Sequence, residues 1–149
     1  MIKLAILGSL ALLAAQPVNT QAKKTESYAV IINTKNPCND TGTAAQSTIK
    51  KLFLKQMSKW KDGTDAKPYG RKQGSPEESA FIKTVLGMGD SEVARHWLKM
   101  KNLDGTTPPK GVRSDRMLLK YVEKHKGGFG VVKLSSAKNA KGIKILYTF

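Results

Sequence analysis

The run Tyr28-Ala-Val-Ile-Ile-Asn33 constrains the fold more than any other stretch of the chain. A strand with one wet face alternates apolar and polar residues; this one is apolar almost throughout and is closed by Asn36-Pro37. Such a strand buries both faces, and strands of that kind belong to α/β sheets with helices packed on them. The following periodicity fits. From Ala44, residues Ile49, Leu52, Phe53, Met57 and Trp60 recur at helical spacing, with Lys50, Lys51 and Lys55 on the outer face and Thr43 as the expected cap. Trp60-Lys61-Asp62-Gly63-Thr64 signals a turn, and Ala66 to Tyr69 reads as a brief strand.

Three more helices are expected. Pro76 to Leu86 turns Ala80, Phe81, Val85 and Leu86 inward and stops at Gly87. A helix from Asp90-Ser91-Glu92 should bury Val93, Ala94, Trp97, Leu98 and Met100, before a proline-bearing loop from Asn102 to Arg113. Ser114-Asp115 then caps a helix carrying Leu118, Leu119 and Val122, stopped by Gly127-Gly128. Phe129 to Val132 and Ile143 to Phe149 read as the last strands, joined by a polar loop over Ser135 to Lys141. The order predicts an α/β domain of two or three layers, with a mixed sheet flanked by helices.

The start of the chain reads differently. Met1-Ile2-Lys3 precedes an apolar run from Leu4 to Ala15, too short for a bilayer, which takes about 20 residues. With the small residues Thr20 and Ala22 before Lys23, residues 1–22 have the pattern of a cleaved secretory signal, which leaves 23–149 as one domain and predicts export without stable membrane insertion. Cys38 is the only cysteine, so no internal disulfide can form. With 26 Lys+Arg against 11 Asp+Glu, a formal charge of +15 favours acidic partners in general. Export argues against nucleic acid as that partner, and leaves small anions or acidic polymers.

Enzyme chemistry has little to stand on. His96 and His125 are the only histidines, and neither has a Ser, Cys or carboxylate at a catalytic spacing. Glu92 and His96 lie four apart on one expected helix, but no third metal ligand accompanies them. Neither catalysis nor a cofactor is expected. The better candidate is the turn Gly70-Arg71-Lys72-Gln73-Gly74-Ser75, where a cation and a glycine precede a serine-capped helix. Ser75-Pro76-Glu77-Glu78 fits a capping box: Ser75 accepts from the Glu78 amide, Pro76 takes the first helical position, and the Glu78 side chain returns to the Ser75 amide. The same end can hold an anion through Arg71, Gly74 and Ser75, with a bidentate guanidinium contact and a favourable helix dipole.

Several stretches together resemble the substrate-binding proteins of phosphate transporters. They are Asn33 with Asn36-Pro37, Leu52-Phe53-Leu54-Lys55 before Trp60-Lys61-Asp62-Gly63-Thr64, Arg71 with Gly74-Ser75, and Gly127-Gly128-Phe129-Gly130-Val131-Val132. The family reads approximately N-P-x-N-P, I-F-x-G-x-x-x-x-W, R-x-D-G-S-G-T-T and P-G-A-I-G-Y-V at these places, in this order. The resemblance implies a single lobe of a type II periplasmic-binding-protein-like fold, a periplasmic or secreted bacterial location, and a non-catalytic role in which Arg71, Gly74 and Ser75 face phosphate or another small anion. It also implies departures. Gln73 replaces Asp, Pro76 replaces Gly, and Glu77 and Glu78 replace two Thr. A carboxylate about 4 Å from a phosphate charge costs roughly 1–4 kcal/mol, against about 0.3–1 kcal/mol gained at a helix terminus. The alternative role is a protein-protein interaction module of the cell envelope, pairing with itself or another protein through the half-cleft face.

Overall fold

A computed structural model describes residues 25–149; the expected signal segment 1–22 lies outside the described residues. The first strand is the fully buried one the sequence requires. β1 (Tyr28–Asn33) lies in the middle of a four-stranded sheet of order β2-β5-β1-β6. It runs antiparallel to both β5 (Gly128–Lys133) and β6 (Ile143–Thr148), while the short β2 (Lys67–Pro68) joins β5 in parallel, so the sheet is mixed. Because side chains alternate along β1, Val30 and Ile32 enter one core and Ala29 and Ile31 the other. The first core takes Ile49 and Leu52 of α1 (Gly42–Phe53); the second takes Leu118 and Val122 of α4 (Asp115–Lys124) and Ala137 of α5 (Leu134–Ala137). Three layers result.

The helices depart from expectation in ways that matter for the site. α1 begins two residues before Ala44, so Thr43 does not cap it; Thr41 holds the cap position without a side-chain bond. It ends at Phe53, which places Met57 and Trp60 beyond the helix. Trp60 is nonetheless core: its ring packs edge-on against Phe129, and its Nε1 donates to the Gly127 carbonyl at 3.0 Å. α2 (Pro76–Ala80) passes directly into a π-helical segment, Phe81–Leu86, which ends at Gly87 in the left-handed conformation the stop required. α3 (Asp90–Asp104) buries Trp97 alone. Ala94 and Leu98, expected inside, are exposed, and Val93 and Met100 are half-buried against the core; Val93 and Ala94 border a cavity, whereas Leu98 does not. Two residues of β3 (Gly70–Arg71) pair in parallel with two of β4 (Gly111–Val112), a connection inside the region read as an irregular loop.

Several residues behind the family resemblance are brought together by packing. Asn33 is buried and donates from Nδ2 to the Val122 and Glu123 carbonyls at 2.8 and 2.7 Å, satisfying the end of α4. Asp62 accepts from Thr64 and from Lys126, bonds that hold its carboxyl down at about 2. Gly127 lies against the Trp60–Asp65 turn so closely that an added Cβ would run into the Asp65 carbonyl. Gly127→Ala is therefore expected to destabilise the protein by about 1–3 kcal/mol or more, because backbone must move to admit the methyl group. Urea unfolding would show it, and an unchanged midpoint would mean that the turn does not pack there.

Candidate functional site

Arg71 ends β3 and is buried, with 6% of its surface exposed. A guanidinium cannot be neutralised by losing a proton, so burial demands carboxylates. Two arrive from different elements. Asp115, the first residue of α4, places Oδ1 2.9 Å from Nη2, and Glu77 of α2 places Oε1 3.7 Å from the same nitrogen. Neither contact is a hydrogen bond, the first failing on geometry, since Asp115 Oδ1 has no hydrogen-bond partner, and the second on distance; both act through charge. Asp115 is fixed in turn, since its Oδ2 accepts from the Lys133 amide at 3.1 Å at the end of β5. Arg71 Nε and Nη1 have no hydrogen-bond partner and are shut off from solvent. An incoming ion reaches neither without local rearrangement. Both two-nitrogen faces of a guanidinium include Nη2, so the expected bidentate contact competes with Asp115 and Glu77.

The turn following Arg71 is also satisfied from within. Ser75 donates its amide to the Lys72 carbonyl at 3.0 Å, closing a β-turn in which Gly74 has φ of 76°. Space is open around Gly74, so the glycine serves this conformation rather than a close approach. Ser75 caps α2 as expected, its Oγ accepting from the Glu78 amide at 3.2 Å. The return bond goes elsewhere. Glu78 Oε2 accepts from the Gly74 amide at 2.7 Å, one residue before the Ser75 amide that a capping box would use. The Ser75 amide is already committed to Lys72, and the carboxylate takes the next donor along the turn. Arg71, Gly74 and Ser75 are therefore neighbours, as the sequence implied, but the guanidinium and both turn amides face groups of the protein itself.

Beside this turn lies a cavity of about 530 Å³. Arg71 and Gly74 border it and Ser75 does not. Its walls are largely apolar, formed by Phe53 at the end of α1, Phe81 and Ile82 of the π-helical segment, Trp97 of α3, and Pro108 and Pro109. Phe53 joins the aromatic groups, edge-on to Phe81 at 4.8 Å and to Trp97 at 6.4 Å between ring centres. Tyr69 also borders the cavity, but its ring packs in the other core, stacked on Tyr121; burial and Tyr121 raise the pKa of its phenol, whose hydroxyl lies 2.9 Å from His125 Nδ1. His96 has its Nε2 2.9 Å from the Leu54 carbonyl while Glu92 accepts from the Gly89 amide, so the two do not face a common ion. Asp115, Asp90 and the aromatic wall were missed from sequence. Asp115 read only as a helix start, and Phe53 and Trp97 only as core.

The fold is a periplasmic-binding-protein-like α/β fold, of which the chain forms a lobe-sized part. Solved structures that share it include an ABC-type phosphate transport receptor from Vibrio cholerae (TM-score 0.61, 17% identity, 81% of this chain and 45% of that one). They also include PstS from Borrelia burgdorferi (0.61, 14%, 81% and 46%) and a protein assigned as a phosphate ABC transporter substrate-binding protein from Clostridium perfringens, with phosphate bound (0.61, 16%, 81% and 44%). The chain thus spans less than half the length of each of these structures, and at these identities the likeness establishes the fold. No family model and no curated protein sequence matches it.

The buried ion cluster generates a stability prediction. Arg71→Met removes the cation and leaves two partly buried carboxylates without it, which should cost about 3–5 kcal/mol. Adding Glu77→Gln to that variant should recover part of the loss, because one uncompensated charge is removed. Wild-type stability of Arg71→Met in denaturant titration would show that the guanidinium is not held this way.

Proposed function

We propose that this chain is an exported, non-catalytic solute-binding lobe whose binding site is the cavity beside Arg71, with small anions such as phosphate bound weakly at the Arg71-Gly74-Ser75 turn. One observation carries the reading: a cavity of about 530 Å³ opens beside the Arg71-Gly74-Ser75 turn that the sequence motifs single out. That volume lies within the roughly 300–1,000 Å³ of small-molecule sites. Export rests on the signal-like pattern of residues 1–22 and, by resemblance, on the periplasmic-binding fold. Among the described residues no helix is long and apolar enough to cross a membrane.

Weak anion binding follows from the carboxylates around the turn. An arriving phosphate must displace Glu78 from the Gly74 amide and share Arg71 with Asp115 and Glu77. A second reading, an envelope interaction module, is favoured by Leu98 and Leu103 on α3, 59% and 69% exposed. A strictly monomeric protein in light scattering that recovers no envelope partner would count against it.

Calorimetry with phosphate and sulfate addresses the anion site directly. The wild-type chain should bind either at millimolar strength or weaker, and Glu78→Ala should tighten phosphate by roughly fivefold, the equivalent of about 1 kcal/mol for removing one charge about 4 Å away in water. No heat from either protein with either anion would eliminate small-anion binding.

A further inference from the structure

The chain is strongly basic, yet the cavity is not. Among the described residues, no lysine lines it, and its single lining cation is Arg71, which faces Asp115 and Glu77. Two further carboxylates border the space. Glu78 is half-buried with Oε2 on the Gly74 amide, and Asp90 is exposed at the start of α3, outside any ion pair among the described residues. The wall between them is the aromatic and prolyl surface of Phe53, Phe81, Trp97 and Pro108-Pro109. The local balance is therefore negative inside a molecule of net charge +15.

We infer that the cavity takes an apolar or aromatic amine, with the organic body against the aromatic wall and the ammonium directed to Asp90 and Glu78. The inference deepens the solute-site reading and rests on it. An inorganic anion would occupy a small fraction of the volume and leave the apolar wall wet, whereas an arylalkylamine of about a dozen heavy atoms covers more of that wall and meets the charge already present. Ligand pockets of this size are mostly apolar with a few placed polar groups, and ammonium ions gain additionally from aromatic neighbours. The basic surface works against amines at long range, so a preference for them must arise locally; at about 0.15 M salt exposed charges are screened beyond roughly 8 Å.

The test is calorimetry of the full chain at neutral pH and that salt with three ligands of similar shape: tryptamine, uncharged tryptophol, and indole-3-propionate. Tryptamine should bind tightest, tryptophol next, and indole-3-propionate at least tenfold more weakly than tryptamine. Ala94→Trp, at an exposed position of α3 that borders the cavity, should abolish all three while leaving the circular dichroism spectrum and unfolding midpoint unchanged. Asp90→Asn should cut the amine preference several-fold and leave tryptophol unaffected. If indole-3-propionate binds as well as tryptamine or better, the charge assignment is overturned and the solute site stands. Binding that survives Ala94→Trp places the ligand elsewhere and overturns the inference. No heat with any of the three overturns it as well; the phosphate and sulfate titrations then judge the anion reading separately.

Discussion

A permanently charged guanidinium buried at the end of a two-residue strand obliges the surrounding structure to supply negative charge. Arg71 receives it from Asp115 at the start of α4 and from Glu77 in α2, so one side chain links β3 to two helices. Asp115 passes the constraint on to β5 through the Lys133 amide. Removing such a partner costs several kcal/mol, chiefly through the stranded charge. The position of α2 relative to α4, and hence the form of the cavity mouth between the turn and α3, depends on this cluster.

The same constraint decides what the turn can bind. In isolation, an arginine, a left-handed glycine and a serine at a helix start make an anion cradle. Here Glu78 supplies the anion: its carboxylate sits 2.7 Å from the Gly74 amide. The packing of Asn33 and Trp60-Gly127 around the strand and helix ends accompanies a fold shared with phosphate transport receptors. The turn is satisfied from within, and the space beside it is largely apolar with an acidic border. A shared architecture does not fix what a site binds, since binding specificity resides in a few side chains placed on a scaffold.

Much of the scaffold was legible in sequence because it is written in local periodicity and capping. The buried strand at Tyr28–Asn33, the Ser75 and Ser114 caps and the Gly87 stop each follow from residues within a few positions of one another. What sequence reading missed is long-range or lacks a side-chain signature. Asp115 meets Arg71 across 44 positions, and nothing near either residue announces the other. Trp60 fits the α1 stripe by spacing but enters the core from a turn, held by a backbone carbonyl 67 residues away. The α3 stripe predicts a buried face, yet Ala94 is exposed where the helix borders a cavity and Leu98 is exposed away from it. The Glu78 bond missed its expected target by one residue, because Lys72 had already claimed the Ser75 amide.

That the protein's own carboxylates occupy the donors of the turn can be observed most directly at the Gly74 amide by NMR, with no added anion. Glu78→Ala, which removes the acceptor, should displace this amide resonance strongly and speed its exchange with solvent. A Gly74 resonance indifferent to Glu78→Ala, but displaced strongly by submillimolar phosphate in the wild-type chain, would contradict the assignment and restore the turn as an open anion site.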